Sequence, residues 1–229
     1  MGRPLSGARE AILERVRRAL ADVPEAERPE DVRVPRAYLD REPEAVLERF
    51  VERVADYGAS VHVVGADEVA AAVGEACSEH GLRELAVPPD LPSAWMPGGV
   101  ESVRDFGLGA KRLDDLGAAL TGCALAIAET GTIVLDGGAR QGRRLLTLVP
   151  DVHICIVEES QVVDGVVAAM RRLADALRAG PRAVTFVSGP SATSDIELSR
   201  VEGVHGPRRL SLIVAAFDSG ANRNLIEGC

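Results

Sequence analysis

Between Ser60 and Pro88 the chain passes from an apolar run through an amphipathic stretch of helical length into a second apolar run. "SVHVVG" predicts a buried strand, "ADEVAAAVGEACSEHG" a helix stopped by Gly81, and "ELAVP" another strand. Strands joined through such a crossover run parallel, which predicts an α/β domain with a central, mostly parallel sheet flanked by helices. The pattern continues downstream. "CALAIAETGTIVLDGG" is strand-like on both sides of a Thr-Gly step, "TLVP" and "VHICIV" are further apolar runs, and a helix is expected from about Gln161 to Arg178. "AVTFVS" and "LSLIVAAF" then bracket a polar insert.

Upstream, Leu5, Ile12, Val16 and Leu20 recur at helical spacing, and "DVPEAERPEDVRVP" follows as a proline-rich, acidic linker. A second helix after Asp40 is signalled by Val46, Phe50, Val51 and Val54. The expected organisation is an N-terminal helical arm and linker over 1–36 and an α/β domain over 37–229. The proline-rich stretch from Val87 to Gly99 is expected to be a lid loop rather than a soft division in that domain.

Several function classes are disfavoured. A net charge of -9 and 3% aromatic residues suit neither nucleic acid nor an anionic membrane. The start, "MGRPLSGAREAILERVRRAL", matches a myristoylation pattern but carries Glu10 and Glu14 and lacks an apolar signal core, and no run of 18 apolar residues exists. A cytoplasmic protein is expected. The single lysine, Lys111, lies outside any phosphate-loop pattern, and no G-x-G-x-x-G follows a strand. Cys77, Cys123, Cys155 and Cys229 form no C-x-x-C pair, and His62 and His153 have no second ligand at metal spacing. No metal and no cofactor is expected, and both histidines are assigned to strands.

Three segments could carry chemistry. In the polar insert, Ser188, Gly189, Ser191 and Thr193 offer hydroxyls and backbone N-H groups for a phosphate or carboxylate, just beyond the carboxyl end of a predicted strand. Ser194 and Glu197 also fit a capping box. His205, between Gly203 and Gly206, is either a general base oriented by Asp195 or a turn histidine bonded to backbone. Glu129 ends an apolar run just before Thr130, Gly131 and Thr132, which makes it a nucleophile, base or acceptor, or else a solvent-facing strand end. "DGGARQGRR", with Gly137, Gly138, Arg140, Arg143 and Arg144, could hold an anion or form a solvated hairpin tip.

"ETGTIVLDGG", "SGPSATSDIE" and "GVHGPRR" together resemble the lactate utilization protein C family, whose members carry a LUD domain, and the resemblance runs from about Thr121 to Val214. Glu129, Gly131 and Thr132 correspond to the first segment; Gly189, Ser191, Thr193, Asp195 and Glu197 to the second; His205 to the third. The resemblance implies a fold similar to the sugar-isomerase and CoA-transferase superfamily. It also implies a part in oxidation of L-lactate to pyruvate, as the cluster-free member beside partner proteins that carry iron-sulfur clusters. Likeness to CoA-transferases keeps an alternative open, a stand-alone enzyme acting on a small anionic substrate through Glu129.

Overall fold

The computed structural model describes residues 6–24, 26–28, 45–180, 182–193, 201–202 and 205–216. The chain divides into two compact units, residues 1–42 and 43–229. In the first, helix α1 (Ser6–Ala19) carries Ile12 and Val16 one turn apart, as their spacing predicts. Leu5 and most of the linker lie outside the described residues.

The second unit begins with α2 (Val46–Asp56), β1 (Ser60–Gly65), α3 (Val69–Glu79), β2 (Glu84–Val87), β3 (Glu101–Arg104), α4 (Ala110–Leu116) and β4 (Ala118–Gly122). It continues through β5 (Leu125–Ile127), β6 (Thr132–Leu135), β7 (Val152–Glu158), β8 (Val162–Val163), α5 (Val166–Ala179), β9 (Thr185–Val187), β10 (Ala192–Thr193), β11 (Val201–Glu202) and β12 (Arg209–Ala216). The main sheet has the order β1-β12-β7-β4-β2-β3. Every pairing in it is parallel, so the architecture is the α/β class that the β1-α3-β2 pattern predicts.

Both faces of this sheet are covered, which explains why its strands are continuous apolar runs. Helix α3 buries Val69, Ala72, Val73, Ala76 and Cys77, a stripe at i, i+3, i+4, i+7 and i+8. That stripe packs on Leu85, Leu120, Ile154, Ile156 and Ile213 of four strands. At about 1.5–3 kcal/mol for each large aliphatic side chain removed from water, this interface is a main contributor to stability. The opposite face, with Cys155, Val157, Leu212 and Val214, is covered by Phe50 and Val54 of α2 and by Ala126, Ile133 and Leu135 of a second sheet.

That second sheet, β8-β5-β6-β9, is mainly antiparallel, and the periodicity of the sequence does not announce it. Its outer face packs Leu125, Ile127 and Val134 against Ala169 and Leu173 of α5. Three sequence expectations change with it. "TFV" of the "AVTFVS" run is β9 of this small sheet, so the insert after it does not follow a strand of the parallel sheet. "TLVP" is no strand, because Arg144–Thr147 coil into a 3-10 turn in which the Thr147 hydroxyl bonds the Arg144 carbonyl. Helix α5 starts at Val166 rather than near Gln161, whose side chain instead accepts from Glu158 N and donates to the Cys123 carbonyl.

Candidate functional site

The E-T-G-T and S-G-P-S segments meet side by side. Thr132, on β6, and Ser188, just past β9, share a hydroxyl–hydroxyl hydrogen bond of 2.8 Å, and Thr130 joins Thr132 at 2.7 Å. Antiparallel pairing of β6 with β9 brings them together, with Ile133 opposite Val187. The G-V-H-G-P segment closes on the same place. Ser191 N donates to the Pro207 carbonyl at 2.8 Å, and His205 N donates to Ser191 Oγ at 3.1 Å.

The S-G-P-S and G-V-H-G-P segments line a cavity of about 190 Å³, with β9, Ser188, Gly189 and Ser191 on one side and His153 and Leu210 on the other, while the E-T-G-T segment stands behind Ser188 through Thr132. His205, Gly206, Arg144 and Thr147 also contribute to its lining. His153 and Leu210 are the second residues of β7 and β12. The cavity therefore opens at the amino ends of the parallel strands, opposite to the edge where ligands commonly sit in such sheets.

His153 is almost fully buried, and its Nε2 is 2.8 Å from the buried Thr121 hydroxyl. Burial, reinforced by the nearby Arg144 charge, pushes its pKa down to about 4. The ring is neutral at pH 7, a hydrogen-bonding group without charge. Sequence reasoning assigns His153 to its strand but gives it no part in a site. Only its place at the start of β7 beside the cavity, set by tertiary packing, distinguishes it from His62.

Glu129 has a different place. It is exposed, lines no part of the cavity, and accepts from Val166 N at 3.2 Å, while its own N-H donates to the Asp164 carbonyl. A carboxylate at the start of α5 satisfies an orphan N-H and complements the helix dipole. Glu129→Ala is expected to cost about 0.5–1 kcal/mol, seen as a lower denaturation midpoint. An unchanged midpoint would remove this capping role.

The glycine and arginine loop is also internally committed. Asp136 Oδ1 accepts from Gly138 N and Gln141 Nε2, and Gly137 turns the chain with φ +67°. Arg140 is held by Glu158 at 2.7 and 3.3 Å and stacks on Trp95 at 5.0 Å. Arg143 grips Asp105 at 2.7 and 2.9 Å. Although burial opposes it, the Arg143 hydrogen bond and charge, with two backbone N-H groups, hold the Asp105 carboxyl below its ordinary range. Arg144 alone of the three lines the cavity, bonding Thr147 Oγ1 at 3.0 Å.

Gly131 lies where the backbone of α2 passes, and Gly189 lies against Tyr57. Thr193 is in β10, which pairs with β11, and its side chain lies outside the described residues. Asp195, with the Ser194 and Glu197 capping box, lies outside them altogether. The cysteines Cys77, Cys123 and Cys155 are buried free thiols. Burial pushes the Cys77 thiol up to about 11, and the Cys155 hydrogen bond together with burial holds Cys123 well above its usual value. Neither presents a thiolate at neutral pH.

The chain is similar to known proteins. A family model described as the LUD domain matches residues 110–215. A lactate utilization protein C from Deinococcus radiodurans is 45% identical over 205 residues, covering 89% of this chain and 93% of that protein. One from Geobacillus thermodenitrificans is 31% identical over 185 residues, covering 77% and 71%. The crystal structure of a DUF162 family protein from Deinococcus radiodurans is similar with a TM-score of 0.64 and 41% identity, over 74% of this chain and 96% of that one.

Proposed function

Because this chain belongs to the lactate utilization protein C family, we propose that it serves lactate utilization as a cytoplasmic, cluster-free subunit. In this reading it assists oxidation of L-lactate to pyruvate beside iron-sulfur proteins that carry the electrons. The observation that carries the reading is that two of the three motif segments line one cavity, joined by the Ser191–His205 hydrogen bond, and that the third supports it through the Thr132–Ser188 hydrogen bond. Thr132, Ser188, Gly189, Ser191 and His205 form the working region, and a small carboxylate or phosphate is its ligand.

Two further observations support the assignment. The cysteines lack cluster spacing, and the three described are buried thiols. No described helix is long and apolar enough to cross a membrane. The group-transfer alternative gains little, since the Glu129 carboxylate is engaged at the start of α5. A cavity of about 190 Å³ is also smaller than the roughly 300–1,000 Å³ of pockets that enclose drug-sized ligands, before a CoA moiety is considered.

Affinity capture of the tagged chain from its own cells grown on L-lactate tests the proposal. Stoichiometric iron-sulfur proteins and lactate-dependent dye reduction in the captured material are expected. Recovery of the chain alone after gentle crosslinking, with iron-sulfur partners shown to be expressed, would overturn the subunit reading.

A further inference from the structure

We propose that the cavity at the amino ends of β7 and β12 binds a short 2-hydroxy- or 2-oxo-monocarboxylate. In this site Arg144 takes the carboxylate, while His153 with the Ser188 and Ser191 hydroxyls takes the oxygen on the neighbouring carbon. Val187 and Leu210 receive the alkyl end. The inference rests on the reading that this cavity is the working region, and it adds the ligand class and two residues, Arg144 and His153.

Charge is the first argument. Among the described residues the cavity lining contains a guanidinium and no carboxylate. Arg140 and Arg143, close in sequence, are each held by an acidic side chain, whereas no described acidic residue pairs with Arg144. A planar guanidinium offers a carboxylate two parallel N-H donors. One terminal nitrogen of its guanidinium donates to the Thr147 carbonyl and hydroxyl, which holds the head in place without neutralising it and leaves its other N-H groups for a ligand.

Chemistry beside that charge sets the class. His153 is buried and neutral, and its Nε2 is taken up by Thr121. A neutral imidazole adds no second positive charge, which favours a monoanion over a dianionic phosphate, and it can serve a hydroxyl or a keto oxygen. Ser188 is already oriented by Thr132, and Ser191 by the Pro207 and His205 backbone, so both hydroxyls are placed before a ligand arrives. Size agrees as well. About 190 Å³ corresponds to about six water volumes, enough for a three-carbon acid.

Calorimetric titration of the purified full chain with L-lactate, pyruvate, propionate and inorganic phosphate tests this directly. L-lactate or pyruvate is expected to bind at least about tenfold more tightly than propionate, which lacks the second oxygen, and than phosphate. Arg144→Ala should weaken that binding at least about tenfold, with partial recovery in Arg144→Lys. Arg144 is exposed, so the variant tests binding rather than folding, and the comparison of four ligands needs no variant. Equal affinity for propionate or phosphate, unchanged binding in Arg144→Ala, or no binding of either acid up to about 10 mM would each overturn the inference. Partner capture without ligand binding would leave the subunit role standing and sink only the ligand assignment; binding without partners would do the reverse.

Discussion

Gly131→Ala is expected to lower stability by about 2–4 kcal/mol, the sum of a left-handed backbone and an overpacked contact. Gly131 has φ +57°, and an added Cβ would lie 2.7 Å from the carbonyl carbon of Arg53 and 2.8 Å from its oxygen and from Val54 N. Those atoms belong to the backbone of α2, whose Phe50 and Val54 are locked into the core, so the helix cannot retreat without opening that cluster. Gly81→Ala separates the two contributions, because Gly81 has φ +65° but an added Cβ there would meet nothing within 4 Å. It should cost only about 1 kcal/mol. The readout is the denaturant midpoint at constant slope. Equal losses in the two variants would show that the close approach of α2 contributes nothing.

The second large effect is on acid stability and comes from His153. Its folded pKa of about 4 lies below the 6.5 of an unperturbed histidine. Between those values the unfolded chain takes up a proton that the folded protein refuses. The contribution is therefore fully present above about pH 6.5 and is lost as the pH falls toward 4, a decline of about 3 kcal/mol. His153→Gln keeps a polar partner for Thr121 and removes the titration. The difference in unfolding free energy between pH 7 and pH 4.5 should then shrink by about 2 kcal/mol, most of that decline, relative to the parent. An identical pH dependence in both proteins, or an imidazole that titrates near 6.5 by NMR in the folded state, would refute the assignment.

How far the sequence discloses this molecule depends on whether a feature is local. β1, α3 and β2 are legible because their apolar periods are determined within each segment, and α3 ends just before the expected Gly81. β7 and β12 are legible as continuous apolar runs. Such runs do not state which sheet they join, and that is why "TFV" reads as a strand of the parallel sheet and the small sheet escapes notice. β3 and β4 escape notice because "ESVR" and "AALTG" are made mostly of charged or small residues and form no run of large apolar side chains. In the site, the hydroxyl-rich insert and His205 are visible as composition. The choice among Arg140, Arg143 and Arg144 is not, because it is made by Glu158 and Asp105, distant in sequence. Glu129 stands out for its charge beside an apolar run, yet the helix end that engages it begins at Val166.

The last strand of the parallel sheet is not at its edge: β12 lies between β1 and β7. During synthesis β7 leaves the ribosome roughly fifty residues before β12, a delay of about 3–10 s. Throughout that interval two long apolar strands face each other across a missing neighbour, with the N-H and C=O groups along that gap unpaired. The nascent chain is thus most exposed to aggregation and to chaperones in the interval before β12 emerges. A chain truncated ahead of Arg209 would lose the strand that joins both halves of its core, rather than a dispensable tail.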